Sequence, residues 1–577
     1  MRDILTFILI KIIVLKGYFD LWRMHRNAHN ARKKNDRLLL KIIKQNQDTV
    51  YGRKYDFRNI RTVEDYRNKV PFSTYEDYRE YIDRMIMNGE QDLITTHHIV
   101  DYARTSGSTG EFKYIPVSRA EVKVHTAYTL TVMMALADKW CREKNGHPLK
   151  PGRGIFTMPD SGFKLPNGKP CSNIAQVSAE RLGIIFPYLI VLPFPKLFSY
   201  REIDLNYLYL RLGLEDPNLA FIFSIFFSSV HDLLMYLKEN WKTLTDDIEK
   251  GTISDLARAD VQVKERLLKY LKPNPQRAAE LRQEMDKGFD ETIVSRIWPN
   301  MSVIYGIHNG VFEPFKKSVR KLTKDIPYDN SIYGSSEGLI AASDEFNTDQ
   351  RLLLSDSLYY EFIPLDDENK IFSLDELEKG KEYEIVITNQ AGLYRYRIKD
   401  VIKVENYLYD CPYISFSYRK GSLLSVIGEK TTEEHLKGVI ETIGEKADLE
   451  EIRWTITIDI DSRPPRYLLL LENEEGKDLG GYSQIADETL KRLNPKYASA
   501  EDHLFLKQMK IVNQLPGTHE AWKERMLKKG TALSQIKPVT LLDNDEKKDF
   551  FLSRIQIDNS IYEALFQSIT IQLENLK

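Results

Sequence analysis

The chain has 577 residues, too many for one simple hydrophobic core, so two or three domains are expected. With 42% hydrophobic and 11% aromatic residues it can bury real cores and is not disordered as a whole. Its 82 Lys and Arg against 84 Asp and Glu leave a net charge of −2, which argues against a nucleic-acid partner or a strongly basic membrane binder. The three scattered cysteines offer no disulfide framework or cysteine-rich zinc site and suit a reducing cytoplasm.

The first sixty residues read as mainly helical. Ile4 to Leu15 is rich in Ile, Leu, Val and Phe, but Lys11 interrupts it and Lys16 follows, so it is too short to span a bilayer. It is expected to pack on the protein body or, alternatively, to make weak contact with a membrane surface. Thr62-Val63-Glu64-Asp65 and Ser73-Thr74-Tyr75-Glu76 are helix-start signals, the second leading into Tyr78–Met87. Arg119 to Lys139 reads as a helix. Leu219 to Ser228 suits a buried strand entering a helix, and short strands are expected near 302–307, 332–333, 359–363 and 383–388. Helix and strand signals in alternation favour an α/β architecture.

Beyond about residue 404 the rhythm changes. Thr431-Thr432-Glu433-Glu434 opens a helix, 452–460 and 467–471 alternate as strands, and 484–493 is periodic as a helix, which together describe a compact α+β domain. The expected division is a large domain over 1–403 and a small C-terminal domain over 404–577.

The sharpest local feature is Thr105-Ser106-Gly107-Ser108-Thr109-Gly110, followed by Lys113. Two glycines permit turns and close backbone approach, and the hydroxyls and backbone N–H groups can cradle phosphate oxygens. Neither the dinucleotide fingerprint nor the Walker spacing is present. Further along stand Tyr333-Gly334-Ser335-Ser336-Glu337 and Tyr394-Arg395-Tyr396-Arg397-Ile398-Lys399-Asp400.

In their order and separation these three motifs resemble those of the auxin-responsive Gretchen Hagen family of acyl acid–amido synthetases, within the acyl-adenylate-forming superfamily. Tyr75-Glu76-Asp77-Tyr78, Gly428-Glu429-Lys430-Thr431 and Gln535-Ile536-Lys537-Pro538 extend the resemblance over most of the chain. The resemblance implies a large multi-sheet α/β N-terminal domain with a smaller α+β C-terminal domain. It also implies ATP and magnesium, a small carboxylic acid activated as its adenylate, and an amino acid acceptor.

By resemblance, residues 105–110 bind the ATP phosphates, with Lys113 as an electrostatic partner. Tyr333 stacks on or flanks the adenine, Gly334 lies in the same turn, Ser335 and Ser336 approach phosphate, and Glu337 is the magnesium-associated carboxylate. Asp400 accepts from the ribose hydroxyls, and Arg397 pairs with Asp400 or contacts phosphate. Lys537, or in competition Lys430, is the lysine that reaches the reacting phosphate. The family pattern has glycine before this aspartate where this chain has Lys399, a departure expected to alter the turn or to place an additional charge at the domain hinge. An acid–thiol ligase forming an acyl-coenzyme A, and a nucleotide-binding homologue without catalysis, stand as the competing readings. The sequence leaves the oligomeric state open.

Overall fold

The computed structural model describes residues 2–106, 112–157, 163–172, 177–178, 182–192, 202–309, 312–420, 424–449, 452–473, 475–528 and 539–556. The chain divides into two compact units, one running to Lys420 and one from Gly421 onward.

The first unit opens with helices α1 (Arg2–Ala28) and α2 (Ala31–Gln45), as the sequence led us to expect. The Thr62 signal is a reciprocal capping box. Its hydroxyl accepts from the Asp65 N–H, and the Asp65 carboxylate accepts from the Thr62 N–H. The second signal works differently: the helix Glu76–Met87 is closed by the Thr74 N–H and hydroxyl, both donating to Asp77. The helix anticipated over 119–139 runs from Arg119 to Asn145 with one widened turn at Ala127–Val132, where α1 packs. Gly17 of α1 permits that approach, since a Cβ there would stand 2.0 Å from the Thr131 carbonyl oxygen.

Three sheets follow. Strands β1 (Ile99–Ser106) and β2 (Phe112–Ser118) are antiparallel, with β4 (Phe163–Lys164) and β5 (Pro170–Ser172) completing the order β2-β1-β5-β4. The second sheet is wholly parallel, in the order β3 (Gly154–Thr157), β6 (Phe221–Phe226), β7 (Val303–Ile307), β8 (Tyr328–Asp329). The apolar strand at β6 runs directly into the helix Phe227–Lys250, which is how a parallel crossover is built.

The third sheet has seven antiparallel strands, β12-β13-β14-β15-β11-β10-β9. In chain order these are β9 (Ile332–Ser335), β10 (Gly338–Ala342), β11 (Arg351–Leu353), β12 (Tyr359–Pro364), β13 (Glu382–Thr388), β14 (Tyr396–Leu408) and β15 (Cys411–Arg419). Residue 403, the expected domain boundary, lies in the middle of β14. The hairpin partner β15 carries the sheet on to Arg419, so the units divide at Lys420. A hydrophobic core extends from α1 and α2 through this sheet.

The second unit is α+β. Sheet β16 (Arg453–Asp459), β17 (Arg466–Glu472), β18 (Lys507–Asn513) is accompanied by helices Glu433–Ala447 and Ser483–Leu493. Thr432 caps the first of these helices, as its sequence signal requires. Among the described residues, no helix is long and apolar enough to cross a membrane.

Candidate functional site

The site grows from the β14–β15 hairpin. Its turn at Tyr409–Asp410 folds Asp400 directly opposite Arg419. Asp400 is buried, and its two carboxylate oxygens are held by different partners. Arg419 Nε donates to Oδ1, and the Tyr333 hydroxyl donates to Oδ2 at 2.7 Å. Burial lowers the proton affinity of the Arg419 guanidinium, but the adjacent carboxylate more than offsets this and holds it above the usual arginine range. Burial, then Asp400, pushes the Tyr333 phenol well above its ordinary value, so it stays a donor. Thus Tyr333, on β9, is tied to Asp400 across a long stretch of sequence.

Glu337 sits in the tight β9–β10 turn. Its N–H donates to Ser335 Oγ at 3.3 Å, and its carbonyl accepts from the buried Asn389 side chain at 2.8 Å. Gly338 follows with φ +152°, a backbone that disfavours a side chain, and a Cβ there would meet Leu358 at 2.8 Å. Gly334 and Ser336 belong to the same turn region, half-buried or exposed.

The third contribution comes from β1 and β2. In the hairpin register Thr105 faces Lys113 and Ser106 faces Phe112. Gly107, Ser108, Thr109 and Gly110 lie outside the described residues. The Lys113 ammonium is 5.5 Å from the Tyr75 ring centre. Burial lowers its proton affinity, while Glu337 and Glu76 act in the opposite direction. Lys113 and Arg419 both feel the charge of Glu337, so Lys113, Glu337 and the Arg419–Asp400 pair share one region of the first unit.

Arg397 does not pair with Asp400. It makes a two-pronged ion pair with Glu384 on β13, both contacts at 2.7 Å, and Lys420 joins the same carboxylate at 2.8 Å. The cause is the strand register. Arg397 faces Val386 of β13, next to Glu384, and the bulge that follows shifts Asp400 toward β15. Arg395 is likewise structural, bonding the buried Glu361 and the carbonyls of Arg67 and Val70. Tyr394 is locked by Tyr78, whose hydroxyl donates to its carbonyl at 3.0 Å and accepts from its N–H at 2.8 Å. Most of the third motif is therefore scaffold, and Asp400 is the member of it that joins Tyr333 and Arg419. Lys399, where the family pattern has glycine, carries φ +65°, the conformation that favours glycine.

Sequence reading passed over Arg419, Glu384 and Asn389. The turn at Tyr409–Asp410 could have revealed Arg419, since a hairpin centred there places residue 419 against residue 400.

In the second unit, Lys430 lies on a half-buried turn with φ +52°. The neighbouring Glu429 is fully engaged: it accepts from the N–H groups of Val426 and Ile427 and from the Tyr467 hydroxyl. Lys537 lies outside the described residues.

The GH3 family N-terminal domain matches residues 20–328, the GH3 family central domain residues 351–419, and the GH3 family C-terminal domain residues 434–546. The chain belongs to the GH3 family. A probable indole-3-acetic acid-amido synthetase of Arabidopsis thaliana, GH3.1, is 27% identical over 542 residues, covering 89% of each chain. A jasmonoyl–L-amino acid synthetase of Oryza sativa subsp. japonica, GH3.5, is 25% identical over 584 residues, covering 93% of this chain and 96% of its own. The fold matches a solved structure, the AtGH3.15 acyl acid amido synthetase in complex with 2,4-DB, with a TM-score of 0.64 at 22% identity over 94% and 96% of the two chains. As a GH3 protein this chain is an ATP-dependent ligase that forms an acyl-adenylate and then a carbon–nitrogen bond.

Proposed function

We propose that this GH3 enzyme joins a small carboxylic acid to an amino acid. Asp400 would hold the nucleotide ribose, residues 105–110 with Lys113 the phosphates, and Glu337 a magnesium ion. The observation that carries this reading is the convergence of Tyr333, Asp400, Arg419, Glu337 and Lys113 from three separated stretches of chain.

The donor set fits a nucleotide. A carboxylate offers about four lone-pair positions. Arg419 and Tyr333 engage one on each oxygen of Asp400, which leaves acceptor capacity for two ribose hydroxyls. The half-buried carboxylate of Glu337 is a hard oxygen ligand of the kind magnesium takes, alongside phosphate and water. Magnesium, when bound, neutralises part of the phosphate charge.

In the first half-reaction the acid's carboxylate attacks the α-phosphorus of ATP, and pyrophosphate leaves. Both reactants are anions, so Lys113 and the donors of residues 105–110 act by offsetting repulsion and fixing alignment. Tyr333 and Arg419 act through Asp400, holding its carboxylate in one orientation. In the second half-reaction a neutral amine attacks the activated carbonyl, AMP leaves, and the amine's proton passes to solvent. Lys537 is the proposed lysine at the reacting phosphate, with Lys430 the alternative. Single alanine variants assayed by pyrophosphate exchange decide between them. The three buried, free thiols suit a reducing, cytoplasmic setting.

The deciding experiment is a matrix of acids and amino acids with ATP and magnesium, with mass detection of adenylate and product. Indole-3-acetic and jasmonic acids head the panel because the relatives' names carry them. Amide formation is expected. Absence of acid-dependent pyrophosphate release across the panel, or a coenzyme A thioester with no amide, would overturn the reading.

A further inference from the structure

Helix α1 carries a stripe that neither the core nor the site uses. Ile4, Ile8, Ile12, Leu15, Phe19 and Trp22 recur at helical spacing along one face and are 47–69% exposed. The stripe is about 27 Å long at 1.5 Å per residue. An exposed apolar patch of this length marks an interaction surface rather than ordinary surface scatter.

The opposite face of α1 is fixed to the body. Gly17 abuts the Thr131 carbonyl, the buried Asp20 accepts from the Thr131 hydroxyl at 2.6 Å, and the Thr6 hydroxyl donates to the Tyr188 carbonyl at 2.9 Å. The stripe is therefore presented outward on a rigid support.

The charge at the rim of the stripe selects the occupant. The helix holds five Lys and Arg against two Asp, and one of those, Asp20, is buried and paired with Lys16. Lys11 lies 5.7 Å from the Phe7 ring centre, and Arg26 lies 5.4 Å from that of Trp22, so one cation stands beside the middle of the stripe and one at its C-terminal end. A second copy of the chain laid along the stripe would bring two basic rims together, with a single exposed Asp3 on each helix to offset them. An anionic lipid surface satisfies both features: the aliphatic and aromatic side chains enter the acyl boundary, and the cations remain at headgroup level.

We propose that α1 lies on anionic membrane surfaces and docks the enzyme there peripherally. The test is flotation of the full-length protein with phosphatidylcholine vesicles, with and without phosphatidylglycerol. The wild type is expected to float with the anionic vesicles and to be released by salt. Leu15→Glu/Phe19→Glu and Lys11→Glu/Arg26→Glu are each expected to lower the bound fraction at least about tenfold while the thermal melt is unchanged. Three results would overturn the proposal. They are a wild type that ignores anionic vesicles, an apolar-face variant that floats as the wild type does, and a dimer by light scattering that Leu15→Glu splits, which would assign the face to a second copy.

Discussion

The parallel sheet and the seven-stranded antiparallel sheet lie in the same unit but are built to different standards of regularity. Strands β3, β6 and β7 are mostly buried apolar residues with one register shift, between Phe223 and Phe226. The antiparallel sheet shifts register at Leu339/Ala341, Glu384/Val386, Val401/Ile402 and Val404/Asn406, and it holds Lys399 in a left-handed conformation. Two of those shifts flank Asp400 and one adjoins the Glu337 turn. The candidate site stands where the sheet departs from its own repeat, because a bulge re-aims a side chain that strict alternation would send to the other face.

That contrast can be broken most directly at Asp400. Asp400→Asn removes the charged acceptor at nearly constant volume and is expected to slow acid-dependent ATP–pyrophosphate exchange by about 100-fold or more, equivalent to roughly 2.7 kcal/mol. A near-normal rate would detach the bulge from function.

Lys113 should show the next effect. Lys113→Ala is expected to cost about tenfold or more in the same assay. Because burial lowers the pKa of Lys113, its ammonium is lost on the alkaline side sooner than that of an ordinary lysine. The exchange rate should therefore fall as pH rises, and Lys113→Arg should move that limb to higher pH. A limb unmoved by arginine would place the titration elsewhere.

Arg397→Gln sharpens the division between site and scaffold. It should destabilise the protein by about 2 kcal/mol through loss of the Glu384 pair, while exchange changes no more than a few-fold. A large rate loss with an unchanged melt would return Arg397 to the phosphates.

In the regular sheet, Ile222→Val should cost about 1 kcal/mol in denaturant unfolding and leave exchange unaffected. Lys399→Gly should show the smallest change, a gain of up to about 1 kcal/mol from relief of the left-handed backbone.

By itself, the sequence determined the local starts and stops and the class of the protein. The Thr62 and Thr432 caps, the strand-to-helix passage at 221–250 and the α+β character beyond 421 all follow from side chains acting on backbone within a few residues. The motifs were also visible, since each is contiguous. Tertiary structure alone decided which motif residues meet. Arg397 and Asp400 are three residues apart, yet one faces Glu384 and the other Arg419 and Tyr333. That choice depends on strand register and on a two-residue bulge, which are settled by partners far along the chain.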